Sequence, residues 1–463
     1  MIGKKASFNV IMPYLKDVQP SLNTYMSLNR TFFVLLLSLV SSFQLLALQP
    51  KSDTLSYGSP ALLKIDSARL FAGIDSIITQ ALDSAAFPGC QLLLAKEGKI
   101  FYYQSFGYHT YDNIQKVRNS DLYDLASITK ITATTLALMK LYEAGKLDLD
   151  QTLGFYFPFL AKSNKSDLTV RKVLAHQSRL KNWIPYYSES QRKNGKYKRK
   201  TISTDSSAHY PNRIPGSDLF LHKDFRKDKI YKMIKKSDLY ENEEYVYSGL
   251  AFYLFPELIE RLSDTSYEQF LNGKFYTPLG AQSLGFDPLR KFSLNQIVPS
   301  EVDTFFRMNK LHGVVHDEGA AVMLGVSGNA GLFSNAYDLA KVYQMLLNGG
   351  TYGDFQYLRP ETITEFTKCQ YCEFENRRGL GFDKPLIQYD SIKTSVAKSA
   401  SPNSYGHSGY TGTLVWADPD NQLLFIFLAN RVYPTRNNRK IYQLNIRPRI
   451  HDLVYDLIEE QKE

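Results

Sequence analysis

Three short motifs in this chain carry side chains with chemistry to offer. The first is Ser127-Ile128-Thr129-Lys130, within YDLASITKITATTLALMKLYEAGKL. Residues three apart share one face of a helix, so the hydroxyl of Ser127 and the amine of Lys130 can meet. A serine in a first turn also sits among free backbone N–H groups, where negative charge is favoured. An amine beside it can accept or relay the serine proton. The Ser-x-x-Lys pattern occurs four times, at Ser127, Ser178, Ser190 and Ser395. Only Ser127 heads a long apolar-periodic run (Leu136, Met139, Leu141, Tyr142), which Gly145 can end. The second motif is Tyr247-Ser248-Gly249, just before the apolar helix pattern of LAFYLFPELIERL. The third is His407-Ser408-Gly409, leading into TLVWADPDNQLLFIFLAN. An alcohol, an amine, a phenol and an imidazole around one notch would form a set for nucleophilic acyl transfer.

Each of these residues has a plainer reading when taken alone. Ser127 could be a helix N-cap, Tyr247 one of 32 packed tyrosines, and His407 an ordinary loop histidine. Asp124 reads as a cap or turn residue, and His176 and Ser178 as structural. His316, Asp317 and Glu318 look like metal ligands, but adjacent residues on one backbone rarely converge on one ion. No metal and no cofactor is expected.

The elements that must position the motifs follow from periodicity. Leu70, Ile74, Ile77, Ile78, Ala81 and Leu82 recur at helical spacing over 67–85. CQLLLAKEGKIFYYQSFG reads as two strands joined at Glu97-Gly98, and a second hairpin turns at Pro419-Asp420-Asn421. Residues 449–460 return to helical spacing. Strands and a helix at each end imply an α+β fold: one antiparallel sheet built from N- and C-terminal segments, flanked by helices, with a mostly helical lobe inserted over about 125–350.

Composition sets further bounds. Of 463 residues, the first fifty read as export sequence: Arg30 precedes an apolar stretch from Thr31 to Leu48, a signal peptide or an N-terminal anchor. The folded domain is then expected over 60–463. The formal charge of +9 is local, because residues 192–236 hold 14 Lys or Arg against 4 Asp. The remainder is near neutral, which argues against a nucleic-acid partner and leaves a solvated face or attraction to an anionic substrate. Of three cysteines, Cys90 lies in an apolar run, while Cys369 and Cys372 can pair in an oxidising compartment or stay reduced.

Taken in order, the Ser-Lys tetrad, the Tyr motif and the basic-x-Gly motif resemble those of the penicillin-recognising serine enzymes: class C β-lactamases, related esterases and D-Ala-D-Ala carboxypeptidases. FPGCQLLLAKEGKIFYYQSFG, LTVRKVLAHQSRL and GNAGLFSNAYDLAKV are also similar to segments of that family, so the likeness runs over about 67–458. The resemblance implies a β-lactamase/transpeptidase-like fold and an exported serine hydrolase of the periplasm or cell envelope. Its substrate would be a small molecule or peptide, such as an ester, a peptidoglycan stem peptide or a β-lactam. It further implies Ser127 as nucleophile, Lys130 and Tyr247 sharing the proton work, and the N–H groups of Ser127 and Tyr410 as oxyanion donors. His407, with Ser408 and Gly409, would bind a substrate carboxylate or tune the site. Two positions depart from the family pattern: Gly249 stands where Asn is usual, and His407 where many relatives have Lys. These lower the expectation of efficient β-lactam hydrolysis. They also keep a penicillin-binding sensor or an inactive binding protein as the alternative.

Overall fold

The computed structural model describes residues 54–460, so the apolar N-terminal stretch lies outside the described residues. A six-stranded sheet organises the chain: β1 (Ser56–Tyr57), β2 (Gly89–Lys96), β3 (Lys99–Gly107), β4 (Tyr405–Ser408), β5 (Leu414–Asp418) and β6 (Leu423–Ala429), in the order β1-β3-β2-β6-β5-β4. All neighbours are antiparallel except the two-residue β1, which runs parallel to β3. Both ends of the sequence thus share one sheet. β2 joins β3 through Glu97 and Gly98, both at positive φ, the geometry that a two-residue hairpin turn requires. The β5–β6 turn is held by Asp418, whose carboxylate accepts from the N–H groups of Asp420 and Asn421.

β6 reads as an unbroken apolar run, and β2 nearly so, because both of their faces are covered. Leu92, Leu94, Phe425 and Phe427 face α1 (Ser67–Asp83) and, from the C-terminus, Ile450 and Val454. Leu93, Ala95, Leu424 and Ile426 face the opposite way, into the larger core. That core holds α2 (Leu136–Glu143), α3 (Phe255–Ser263) and α4 (Ala336–Leu347). α5 (Ile446–Glu459) closes the first face against α1.

The inserted lobe is less helical than its sequence suggests. Between 180 and 249 the chain runs mainly in loops around a small sheet of two-residue strands, Ile202–Ser203, Asn212–Arg213 and Phe220–Leu221. Gly195, Pro211, Pro215 and Gly216 interrupt that stretch, and it lacks a sustained apolar stripe at helical spacing. Cys369 and Cys372 form a disulfide, and Cys90 is a buried free thiol. Among the described residues no helix is long and apolar enough to cross a membrane.

Candidate active site

Ser127 is presented by a strained turn. Ala126, immediately before it, has φ +47°, a conformation that costs a non-glycine residue roughly 1 kcal/mol or more. Asp124 holds the turn in place: one carboxylate oxygen accepts from Ala126 N–H (2.8 Å), the other from His316 N–H (2.6 Å). Burial raises the Asp124 pKa against the pull of those donors and of His316. The capping role expected of Asp124 is therefore the one its contacts describe. The helix after Ser127 is not uniformly α: a 3₁₀ turn at Ala126–Ile128 leads into a π-helical turn at Lys130–Thr135 and then into α2. π-turns are rare and occur often at functional sites. Through 121–139 every residue is buried except Ser127, whose side chain reaches the surface of a cavity of about 680 Å³.

Lys130 Nζ donates to Ser127 Oγ at 3.0 Å, and Tyr247 OH donates to the same oxygen at 3.0 Å. Lys130 Nζ also donates to Asn329 O at 3.0 Å. Asn329 is held in turn by Ser327, Tyr253 and Asp317. Of the four Ser-x-x-Lys occurrences, this is the one whose serine and lysine are hydrogen-bonded. Ser178 and Ser190 are buried, and Lys181 and Lys398 lie over the rings of Tyr240 and Tyr389.

The third motif approaches from the sheet. The loop between β4 and β5 is pinned to the serine turn by Thr411, which donates to Asp124 O (2.7 Å), and Thr413, which donates to Leu125 O (3.2 Å). Gly409 is needed for that approach, since a Cβ there would lie 2.5 Å from Leu125 O. Tyr410 lines the cavity, and its backbone N–H has no acceptor among the described residues. Ser408 and Gly409 do not line the cavity.

His407 departs from the anion-binding role that the resemblance implies. It is buried, with its ring 5.7 Å from that of Tyr247, and it is absent from the cavity wall. Burial, reinforced by the positive charges of Arg378 and Lys130, pushes its pKa down to about 3. His407 Nδ1 lies 2.7 Å from Ser408 O and so carries the ring proton, leaving Nε2 as an unpaired acceptor. A neutral imidazole cannot anchor a carboxylate by charge. His176 packs 4.7 Å from the Tyr247 ring, takes Ser248 N–H on Nδ1 (3.2 Å), and is also held neutral by burial.

Motif reading did not mark Trp183, Tyr253 and Arg436, which line the cavity together with Asp317 and Glu318. His316, Asp317 and Glu318 diverge rather than converge. His316 Nε2 meets Glu301 (2.8 Å), Asp317 accepts from Ala320 N–H (2.7 Å), and Glu318 pairs with Arg436. Arg436 also binds Glu301 through Nε at 2.9 and 3.0 Å. No Lys or Arg from 192–236 lines the cavity, so the basic segment does not border this cleft. Gly249 does line it, and a Cβ at that position would meet nothing within 4 Å. The departure from Asn therefore leaves open space, and the backbone geometry does not require a glycine.

The comparisons with known proteins agree with this architecture. The family model described as Beta-lactamase matches residues 74–446. A Salmonella enteritidis protein named "Putative D-alanyl-D-alanine carboxypeptidase" is 29% identical over 436 residues, covering 88% of this chain and 93% of its own length. Two solved structures share the fold. The penicillin-binding protein homologue from Caulobacter crescentus has a TM-score of 0.58 at 17% identity, covering 85% of this chain and 98% of that one. EstCE1, described as a hydrolase with promiscuous acyltransferase activity, has a TM-score of 0.57 at 18% identity, covering 83% and 99%. The chain belongs to the Beta-lactamase family.

Proposed function

We propose that this hydrolase is an exported serine enzyme of the cell envelope that cleaves ester, peptide or amide bonds through an acyl-enzyme on Ser127. The observation that carries the proposal is the position of Ser127 Oγ, the one solvent-reaching group in a buried run, 3.0 Å from both an amine and a phenol. As the structure stands, Oγ accepts from both partners. For Oγ to attack, Tyr247 or Lys130 must first lose its own proton and then take the serine's. Oγ adds to the carbonyl carbon, and the oxyanion is met by the N–H groups of Ser127 and Tyr410, each such donor being worth roughly 2.7–4 kcal/mol in a transition state. The leaving group departs with the proton returned by the same phenol–amine pair, and water repeats the sequence to release the acid.

The relatives' names support peptides ending in D-Ala-D-Ala, and the motifs' resemblance to the family's esterases supports esters. Two features weigh against efficient β-lactam turnover: neutral His407, and Gly249 in the place of an amide. The apolar stretch Thr31–Leu48 and the Cys369–Cys372 disulfide support export. The test is a panel of p-nitrophenyl esters, D-Ala-D-Ala peptides and nitrocefin, run on the wild type and Ser127→Ala. The expected result is Ser127-dependent turnover of an ester or peptide, with nitrocefin slower. A permanent penicillin adduct on Ser127 with no turnover of any substrate would instead make the protein a sensor.

A further inference from the structure

The two proton acceptors open to Ser127 are equidistant from it, and the surroundings of Tyr247 are what distinguish them. Its ring is faced by Lys130 (Nζ 5.3 Å from the ring centroid), His176 (4.7 Å), His407 (5.7 Å) and the guanidinium of Arg378 (5.2 Å). Both histidines are held neutral by burial. Of the nearby carboxylates, Asp317 accepts from Asn329 and Ala320, and Glu318 is paired with Arg436. The cationic side chains that face the phenol are therefore Lys130, which also bonds Ser127, and Arg378, a residue outside all three motifs. Arg378 is 4% exposed, its Nε reaches Tyr245 OH (3.2 Å) and Asp383 (3.3 Å), and its Nη1 is buried without a partner.

Asp383 does not cancel this charge, because it is shared. Arg377 takes both of its oxygens at 2.7 and 3.1 Å, so two guanidinium groups answer to one carboxylate and a net positive charge remains. The same Asp383 ties the cluster to the sheet: its backbone exchanges hydrogen bonds with Gly406 on β4 (2.8 and 3.0 Å), next to His407. The cluster thus joins the strand of the third motif to the residue of the second.

We propose that Arg378, tethered by Asp383, is the positioning residue that makes Tyr247 the acceptor of the Ser127 proton, supplying beneath the phenol the positive charge that His407 does not provide. Within the acyl-enzyme reading on which this rests, Tyr247 loses its proton to solvent before the reaction. Its phenolate then takes the Ser127 proton as the Oγ–carbon bond forms and returns that proton to the leaving group. A cation about 5 Å from the ring in a buried setting favours the phenolate, and its removal moves the rising limb of the rate to higher pH.

The test is the rate of Ser127 labelling by a fluorophosphonate, followed from pH 5 to 10 in the full chain, alongside ester turnover. In Arg378→Gln the rising limb moves up by about one pH unit, roughly a tenfold slower rate at fixed pH on that limb. Arg378→Lys stays near the wild-type profile. Asp383→Asn, which uncovers the charge, moves the limb down. A uniform loss at every pH in Arg378→Gln, or an unmoved limb, overturns the proposal. If Arg378→Gln fails to fold, Asp383→Asn decides alone: a downward shift supports the role and an unmoved limb refutes it. Label that does not require Ser127 would refute the acyl-enzyme reading itself, a different failure.

Discussion

The two walls of the cavity are built on different principles. On one, Ser127, Lys130 and Tyr247 stand on a buried, cross-tied frame: Asp124 under the turn, Asn329 on the lysine, and neutral His176 and His407 packed around the phenol. On the other, Trp183 is 52% exposed, and Glu318 pairs with Arg436 beside the cavity. Rigid, desolvated surroundings hold reacting atoms in place, whereas lining residues that are not bonded to those atoms can be varied with less disturbance. On the proposed acyl-enzyme reading, bond-making belongs to the first wall and substrate choice to the second.

The sharpest way to break this division is at Ser127. Ser127→Ala is expected to lower kcat/KM for an ester substrate by about 10⁴-fold or more with folding intact, and Tyr247→Phe by about 10²–10⁴-fold, mostly in kcat. Steady-state assays with melting curves check both. On the far wall, Trp183→Ala and Glu318→Gln should change KM by about tenfold or less and leave kcat close to wild type. A fall in kcat there as large as that for Tyr247→Phe would end the distinction.

Three buried neutral histidines, His176 and His407 beside the phenol and His451 in the C-terminal helix, also predict a pH dependence of stability. His407 and His451 are pushed down to about 3, and His176 shifts in the same direction, all by burial first. Unfolded histidines bind protons near pH 6.5, so below that pH the unfolded chain holds more protons than the folded one. Stability is therefore complete above about 6.5 and declines as pH falls toward 3, at about 1.4 kcal/mol per pH unit for each histidine. Urea titrations between pH 7.5 and 4.5 measure that slope, and His407→Gln should reduce it. The smallest effect is expected from reversing Lys196, Lys198 and Lys200 to Glu. These residues do not line the cavity, so KM for neutral and anionic esters should both move less than about twofold in 0.15 M salt.

Much of the fold was legible in the sequence because both hairpins announce themselves through apolar runs and turn residues, and α1 through its period. The ordered motifs picked out Ser127, Lys130 and Tyr247, which meet across 120 residues. What the residues could not disclose was set by burial. A histidine in the third motif gives no sign that its pKa falls to about 3. Arg378, Asn329 and Arg436 carry no local pattern, and only folding brings them to the site. The strongly basic 192–236 segment drew attention by charge alone, and tertiary placement keeps it off the cavity wall.

The most direct measurement of the central claim is time-resolved intact-mass spectrometry during ester turnover, with peptide mapping of the acylated species. The account predicts an adduct on Ser127 that forms and decays at rates consistent with kcat and is absent from Ser127→Ala. Turnover without that adduct, or acylation at another residue, would contradict it.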